Sequence, residues 1–258
     1  MRILIVLGGD PPPARLLKKC YREADVILCA DGGLAVLWQY NLWPDLLVGD
    51  LDSAAAPMVA EYRTQGGRVE RHSPNKDQTD GQLAVEWALA ARSPQPPNAK
   101  GTNTKAQNIE DPNSEAKNAG AQNTTIPKAK DRNIQIPNTQ PKSITLLGGF
   151  GGRLDHVLGH ISLLRLCAEK KVDAVLLDGH QSVRVLRRGV YEFKSAPGRG
   201  VSLWPLPACT VKRTEGLLYP LSPLKLKPNH TLGLSNRATA SRVLVEIEKG
   251  YCCLLTED

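Results

Sequence analysis

The feature that most limits how this chain can fold is a repeated one: short apolar runs that each stop at glycine and aspartate. Ile3–Leu7 runs into Gly8-Gly9-Asp10, Val26–Ala30 into Asp31-Gly32-Gly33, and Leu46–Val48 into Gly49-Asp50-Leu51-Asp52-Ser53. Arg68–Arg71 leads towards Asn75-Lys76-Asp77, and Ile144–Leu147 into Gly148-Gly149-Phe150-Gly151-Gly152-Arg153. Helical patterns lie between them over Ala14–Ala24, Leu34–Tyr40, Asp80–Ala91 and Leu154–Lys170, and Ala174–Leu177 closes the series. Strands that alternate with helices form βαβ units around a mostly parallel sheet, buried on both faces. The pattern predicts a Rossmann-like α/β domain over residues 1–179.

From about residue 180 the rhythm changes. Short β-forming runs follow one another at Val183–Leu186, Val190–Phe193, Gly200–Trp204, Leu217–Tyr219, Thr231–Leu234, Arg242–Glu248 and Tyr251–Leu255, with Gly, Pro and Asn between them. No long helical pattern remains. This predicts a small all-β sandwich domain over 180–258 and a cleft between the two domains.

The stretch 93–142 interrupts the first pattern. Its only large apolar residues are Ile109, Ile126, Ile134 and Ile136, and asparagine recurs every five residues from Asn98 to Asn123, then at Asn133 and Asn138. A pentapeptide β-helix needs a large apolar residue pointing inward in each unit, and most units here lack one. Such a segment buries too little apolar surface to offset chain entropy, so it reads as a disordered insertion in a surface loop. It also supplies part of the net charge of +7, with seven basic and four acidic residues. Elsewhere no basic cluster interleaves with aromatics, so the charge does not point to nucleic acid. No apolar run approaches the ~20 residues that span a bilayer, and the first run is too short for a signal peptide. Cys20, Cys29, Cys167, Cys209, Cys252 and Cys253 form no C-x-x-C pair and read as reduced core thiols of a cytoplasmic protein.

In an open parallel sheet, ligands bind beyond the carboxyl ends of the strands. There is no P-loop and no complete dinucleotide fingerprint, since Leu154 stands where the third glycine would be. Asp50 and Asp52, at i and i+2 in extended chain, point the same way. Two adjacent carboxylates repel unless a cation lies between them, and magnesium favours such hard oxygen ligands. One of the pair could instead cap the next helix. A second acidic cluster, Asp77-Gln78-Thr79-Asp80, precedes a helix that Thr79 could cap while Asp80 reaches the cation. Arg153 and Asp155 follow the four-glycine turn, where an arginine suits phosphate oxygens or a surface ion pair. His156 and His160, i and i+4 on one helix, read as a packed pair because no HExxH surrounds them.

Taken in order, the pieces resemble the thiamine pyrophosphokinase family: Gly8-Gly9, Ala30-Asp31-Gly32-Gly33, Pro44 to Ser53, Lys76-Asp77-Gln78-Thr79-Asp80, Gly151 to His156, Gly216 to Leu221, and Leu234-Ser235-Asn236. The resemblance spans nearly the whole chain outside the insertion. It implies transfer of diphosphate from ATP to the hydroxyl of thiamine, giving thiamine diphosphate and AMP, by a homodimer with sites at the subunit interface. It implies magnesium at Asp50, Asp52 and Asp80, and a polar nucleotide site at Asp31, Asp77, Arg153 and Asp155, with Gly32, Gln78 and Thr79 in the same motifs. Tyr219, Ser235 and Asn236 match motifs that face thiamine. Asp77 and Asp80 are the candidates for accepting the hydroxyl proton. His160 stands where bacterial relatives usually have asparagine, and the insertion is not a family feature. Two other readings share these residues: a diphosphokinase for a hydroxymethylpterin acceptor, and a non-enzymatic nucleotide or thiamine sensor.

Overall fold

The computed structural model describes residues 1–73, 77–90 and 141–257. The elements run β1 (Arg2–Val6), α1 (Ala14–Glu23), β2 (Val26–Ala30), α2 (Gly33–Trp38), β3 (Leu46–Gly49), α3 (Ala56–Thr64), β4 (Arg68–Arg71), α4 (Asp80–Ala90), β5 (Ser143–Leu147), α5 (Leu154–Glu169) and β6 (Asp173–Leu177). There follow β7 (Gln181–Leu186), β8 (Gly189–Lys194), β9 (Gly200–Glu215), β10 (Leu224–Leu226), β11 (Asn236–Arg237) and β12 (Arg242–Glu257). The fold is mixed α/β around one large sheet.

Strands β4-β3-β2-β1-β5-β6 lie side by side and all pair in parallel. The alternation of side chains sorts their residues onto two faces. Ile3, Ile5, Leu28, Val48, Ile144 and Leu146 meet Leu83, Ala84 and Val85 of α4 and Leu163, Leu164 and Cys167 of α5. Leu4, Val6, Ile27, Cys29, Leu47 and Leu147 meet Leu17 of α1, Leu34 and Leu37 of α2, and Val59 and Tyr62 of α3. Each fully buried aliphatic side chain contributes about 1.5–3 kcal/mol by leaving water. This two-sided burial is why these strands read as unbroken apolar runs. β4 is the edge strand, and its Arg68-Val69-Glu70-Arg71 is accordingly mostly exposed.

The strand order reverses at β1: β2, β3 and β4 extend to one side, β5 and β6 to the other. Ligands of open parallel sheets bind at the carboxyl ends beside such a reversal, where the turns after β1 and β5 here lie side by side.

β7 joins β6 antiparallel through Val175–Arg184, Leu176–Val183 and Leu177–Ser182, so the hydrogen-bonded path continues into the β-rich part. β12 pairs with β7, β8 and β9, and a third core gathers Leu186, Val201, Leu203, Val211, Val243, Val245 and Leu254. Arg165 of α5 ties this part to the helices: its guanidinium donates to the Leu206 carbonyl at 3.0 Å and lies 4.8 Å over the Tyr251 ring.

Several sequence expectations need correction. α3 was not expected; its signal is Pro57 in the first turn, which presets helical φ. Gly200–Trp204 is the start of a sixteen-residue strand, and Arg242–Glu248 and Tyr251–Leu255 are one strand that turns irregular around Gly250. A local turn signal was outweighed there by pairing across the sheet. Leu217–Tyr219 and Thr231–Leu234 are not strands: Leu217 makes a single bridge to Ala238, and Leu234 closes a turn onto the Thr231 carbonyl at 2.9 Å. The expected insertion lies outside the described residues except for its last two. Of these, Pro141 is buried, and the Lys142 N–H donates to the Met1 carbonyl at 2.7 Å.

Candidate active site

The turns at the ends of β1, β2, β3 and β5 touch one another. The Gly9 N–H donates to the Gly148 carbonyl at 2.8 Å, and the Asp10 N–H to the Phe150 carbonyl at 3.0 Å. A Cβ on Gly9 would stand 2.4 Å from the Gly148 oxygen, so only glycine permits this approach.

Asp31 ends β2 at φ +33° and is buried. Its two carboxylate oxygens accept from the Ser53 and Ala54 N–H groups, each at 3.0 Å. Burial pushes its carboxyl above the ordinary carboxylate range, and the neighbouring Asp52 side chain and Asp80 charge push the same way. Asp50 and Asp52 flank Leu51, which sits at φ +68°. The Asp52 N–H donates to Asp50 Oδ1 at 3.3 Å, and Ser53 Oγ donates to Asp52 Oδ1 at 3.0 Å. One oxygen from each of Asp31, Asp50 and Asp52 lies within 4.8 Å of the others. Three carboxylate oxygens this close form a donor set that fits a hard divalent cation such as magnesium.

Asp80 stands beside this group. Gly49, at φ +154°, is the spacer: a Cβ there would lie 3.0 Å from the Asp31 Cβ and 3.2 Å from the Asp80 Cγ. The sequence pointed to Asp50, Asp52 and Asp80; in the structure Asp31 takes the third place in the tight group, and Asp80 stands beside it. Thr79 caps α4 as expected, accepting the Gln82 N–H at 3.2 Å. Asp77 is exposed in the loop before it. The Gln78 amide donates to Glu86 at 3.1 Å, so its side chain runs along α4. Gly32 packs against Gly8 across the β1 and β2 turns, where a Cβ on Gly8 would meet the Gly32 Cα at 3.1 Å.

Arg153 and Asp155 bind each other through two hydrogen bonds, at 3.2 and 2.5 Å, and both are exposed. The bond to Arg153 holds the Asp155 carboxyl below the ordinary carboxylate range. His156 and His160 are a packed pair, with rings perpendicular at 6.2 Å. His160 Nδ1 lies 2.8 Å from the Gly149 carbonyl, and burial lowers its pKa.

The C-terminal candidates form a second group on β11 and the loops beside it. Ser235, at φ +57°, has its N–H on Ser202 Oγ at 3.0 Å. It lines a cavity of about 260 Å³ together with Ser202, Asn236, Arg237, Thr256 and Glu257. Tyr219 presents an exposed ring, while Asn236 beneath it is buried. Two supporting residues carried no assignment in the sequence reading. Ser53 binds both Asp31 and Asp52. A Cβ on Gly151 would fall on the Asp10 carboxylate. Ser53 closes the Gly49-Asp50-Leu51-Asp52 turn and Gly151 lies in the four-glycine turn after β5, and those placements are the signal that could have found them.

Parallel strands with glycine turns and clustered carboxylates at their ends define a class: an α/β protein equipped for phosphate chemistry at a topological switch point. Residues 17–176 match the model for the thiamin pyrophosphokinase catalytic domain. The chain belongs to the thiamin pyrophosphokinase family. It is 24% identical to a thiamine pyrophosphokinase of Bacillus subtilis over 255 residues, covering 98% of this chain and 97% of that one. It is 22% identical to thiamine pyrophosphokinase 2 of Oryza sativa over 263 residues, covering 94% and 81%. The crystal structure of a Bacillus subtilis thiamine pyrophosphokinase superposes with a TM-score of 0.72 at 22% identity, covering 100% of this chain and 99% of that one. The yeast thiamin pyrophosphokinase structure gives 0.71 at 18% identity, covering 99% and 86%.

Proposed function

We propose that this protein transfers diphosphate from ATP to the hydroxyl of thiamine, releasing AMP. The observation that carries the reading is the Asp31, Asp50 and Asp52 group at the strand ends of a chain with this family membership. In the reaction the thiamine oxygen bonds to the β-phosphorus of ATP. The bond from that phosphorus to the oxygen bridging the α-phosphorus breaks, and AMP leaves with that oxygen.

Asp50 and Asp52, with Asp31 or Asp80 alongside, would hold magnesium. When bound, it would neutralise charge on the transferring phosphates. Asp31 is the fixed member, because two backbone N–H groups lock its carboxylate. Arg153 takes phosphate oxygens, and Asp155 orients its guanidinium beforehand. Asp77 or Asp80 accepts the hydroxyl proton. Little covalent work falls to the protein, so positioning and charge carry the rate.

The Rossmann-like part up to residue 179 would supply the nucleotide site, and a β-sandwich part from 180 onward would supply thiamine contacts at Tyr219 and Ser235. The active form would be a homodimer. Leu154 and Leu158 on one face of α5, and Leu218, Tyr219, Leu232 and Leu234 in the loops, are large apolar residues left exposed, which a second copy would cover.

The test is AMP release from ATP and magnesium, with thiamine, with a hydroxymethylpterin, or with neither. AMP that depends on thiamine supports the proposal. AMP only with the pterin moves the acceptor. Thiamine binding without turnover leaves the sensor reading.

A further inference from the structure

We propose that Asn236 is a positioning residue: it grips the backbone of Tyr219 and does not itself touch the acceptor. This rests on the reading of Tyr219 as the aromatic face offered to thiamine. Asn236 is 3% exposed, and its amide makes three hydrogen bonds to the backbone. Its Oδ1 accepts the Tyr219 N–H at 3.1 Å and the Arg237 N–H at 2.8 Å. Its Nδ2 donates to the Tyr219 carbonyl at 2.7 Å. One side chain therefore takes both backbone groups of Tyr219, as a neighbouring strand would.

The surrounding backbone shows why that is needed. The Thr239 N–H donates to the Gly216 carbonyl and the Leu218 N–H to the Arg237 carbonyl, both at 2.8 Å. This short ladder then ends, because Ser235 turns at φ +57° and leads the chain away. Tyr219 is the first residue without a strand partner, and the Asn236 amide replaces the missing one. Beyond Pro220, the Leu221 N–H is held in the same way by the buried Thr214 hydroxyl at 2.9 Å. The outcome is an aromatic side chain 63% exposed on a backbone pinned at two points. A pre-fixed ring binds a cationic ring without paying to order the loop.

The test is a double-mutant cycle of Asn236→Ala and Tyr219→Ala, read as KM for thiamine, KM for ATP and kcat. Losing the clamp should raise the thiamine KM about tenfold and leave the ATP KM within about twofold. In the Tyr219→Ala background, Asn236→Ala should add nothing further. If the two effects multiply, Asn236 meets thiamine directly and the inference is wrong. It is equally wrong if Tyr219→Ala leaves the thiamine KM unchanged. If Asn236→Ala does not fold, Asn236→Asp carries the same cycle: it can still accept both N–H bonds, and it sets a repelling carboxylate oxygen against the Tyr219 carbonyl where Nδ2 donated. Wild-type protein without thiamine-dependent AMP would overturn the functional reading and this inference together. Wild-type turnover with multiplicative effects would overturn the inference alone.

Discussion

Asp52 belongs to the acidic group yet is exposed, so its charge contributes more to ligand binding than to the fold. Asp52→Asn should lower kcat/KM by about 100-fold or more. Its melting temperature should match or exceed that of the wild type, because one member of a repelling group is gone. Magnesium should raise the wild-type melting temperature by linkage and leave the variant's unchanged. Unaltered turnover at saturating ATP and magnesium would remove Asp52 from the site. His160 makes a different prediction. Its folded pKa lies below the ordinary 6.5 because the ring is partly buried. Below pH 6.5 the unfolded chain takes up a proton that the folded chain resists, so this contribution is full above 6.5 and is lost as pH falls towards the folded value. His160→Asn, which keeps a donor for the Gly149 carbonyl, should flatten the fall in melting temperature between pH 7.5 and 5.5. Parallel curves for the two proteins would contradict this. The residue types at the site were legible in the sequence because glycine and aspartate recur together at the ends of successive strands, which capping or turn formation alone does not require. That Asp31 joins Asp50 and Asp52 was not, because it depends on the Asp31 carboxylate folding back onto the Ser53 and Ala54 N–H groups.

Among the elements, those of the α/β part could be read from the sequence because their burial is two-sided and local. The five parallel-sheet strands expected from the first pattern occur within a residue or so of their expected bounds, as does Ala174–Leu177. α3 escaped because its apolar residues are few: Val59 and Tyr62 are the buried ones. β9 and β12 were broken up in the sequence reading because Pro205, Pro207 and Gly250 look like stops, whereas the cross-strand register carries them through. The contact between helix and β-rich part could not be read from local pattern at all. Val183 and Cys253 share an apolar core with Leu163 and Leu164 of α5, and Arg165 adds a polar contact over a separation of 41 residues to Leu206. Arg165→Ala should lower stability by about 1–2 kcal/mol, from one hydrogen bond and one cation–π contact, with little due to the exposed pair with Glu169. A urea titration reads this as a lower midpoint with the same slope. An unchanged midpoint would show that the two parts hold together without it.

At the scale of the whole molecule, the strand-end carboxylates and the Tyr219 loop are two halves of one proposed site, and a second copy of the chain is the proposed means of joining them. Leu154→Glu with Leu158→Glu should convert a dimer to a monomer in sedimentation and abolish thiamine turnover, while the monomer stays folded. A monomeric wild type with full turnover would contradict the shared site. The central claim is the position of bond cleavage in ATP, and the most direct measurement follows a label. With ATP labelled at the β-phosphorus, magnesium and thiamine, the label should appear in thiamine diphosphate, and the AMP should carry none. Label retained in ADP would mean transfer of the γ-phosphoryl group alone, and the mechanism built on this site would be wrong.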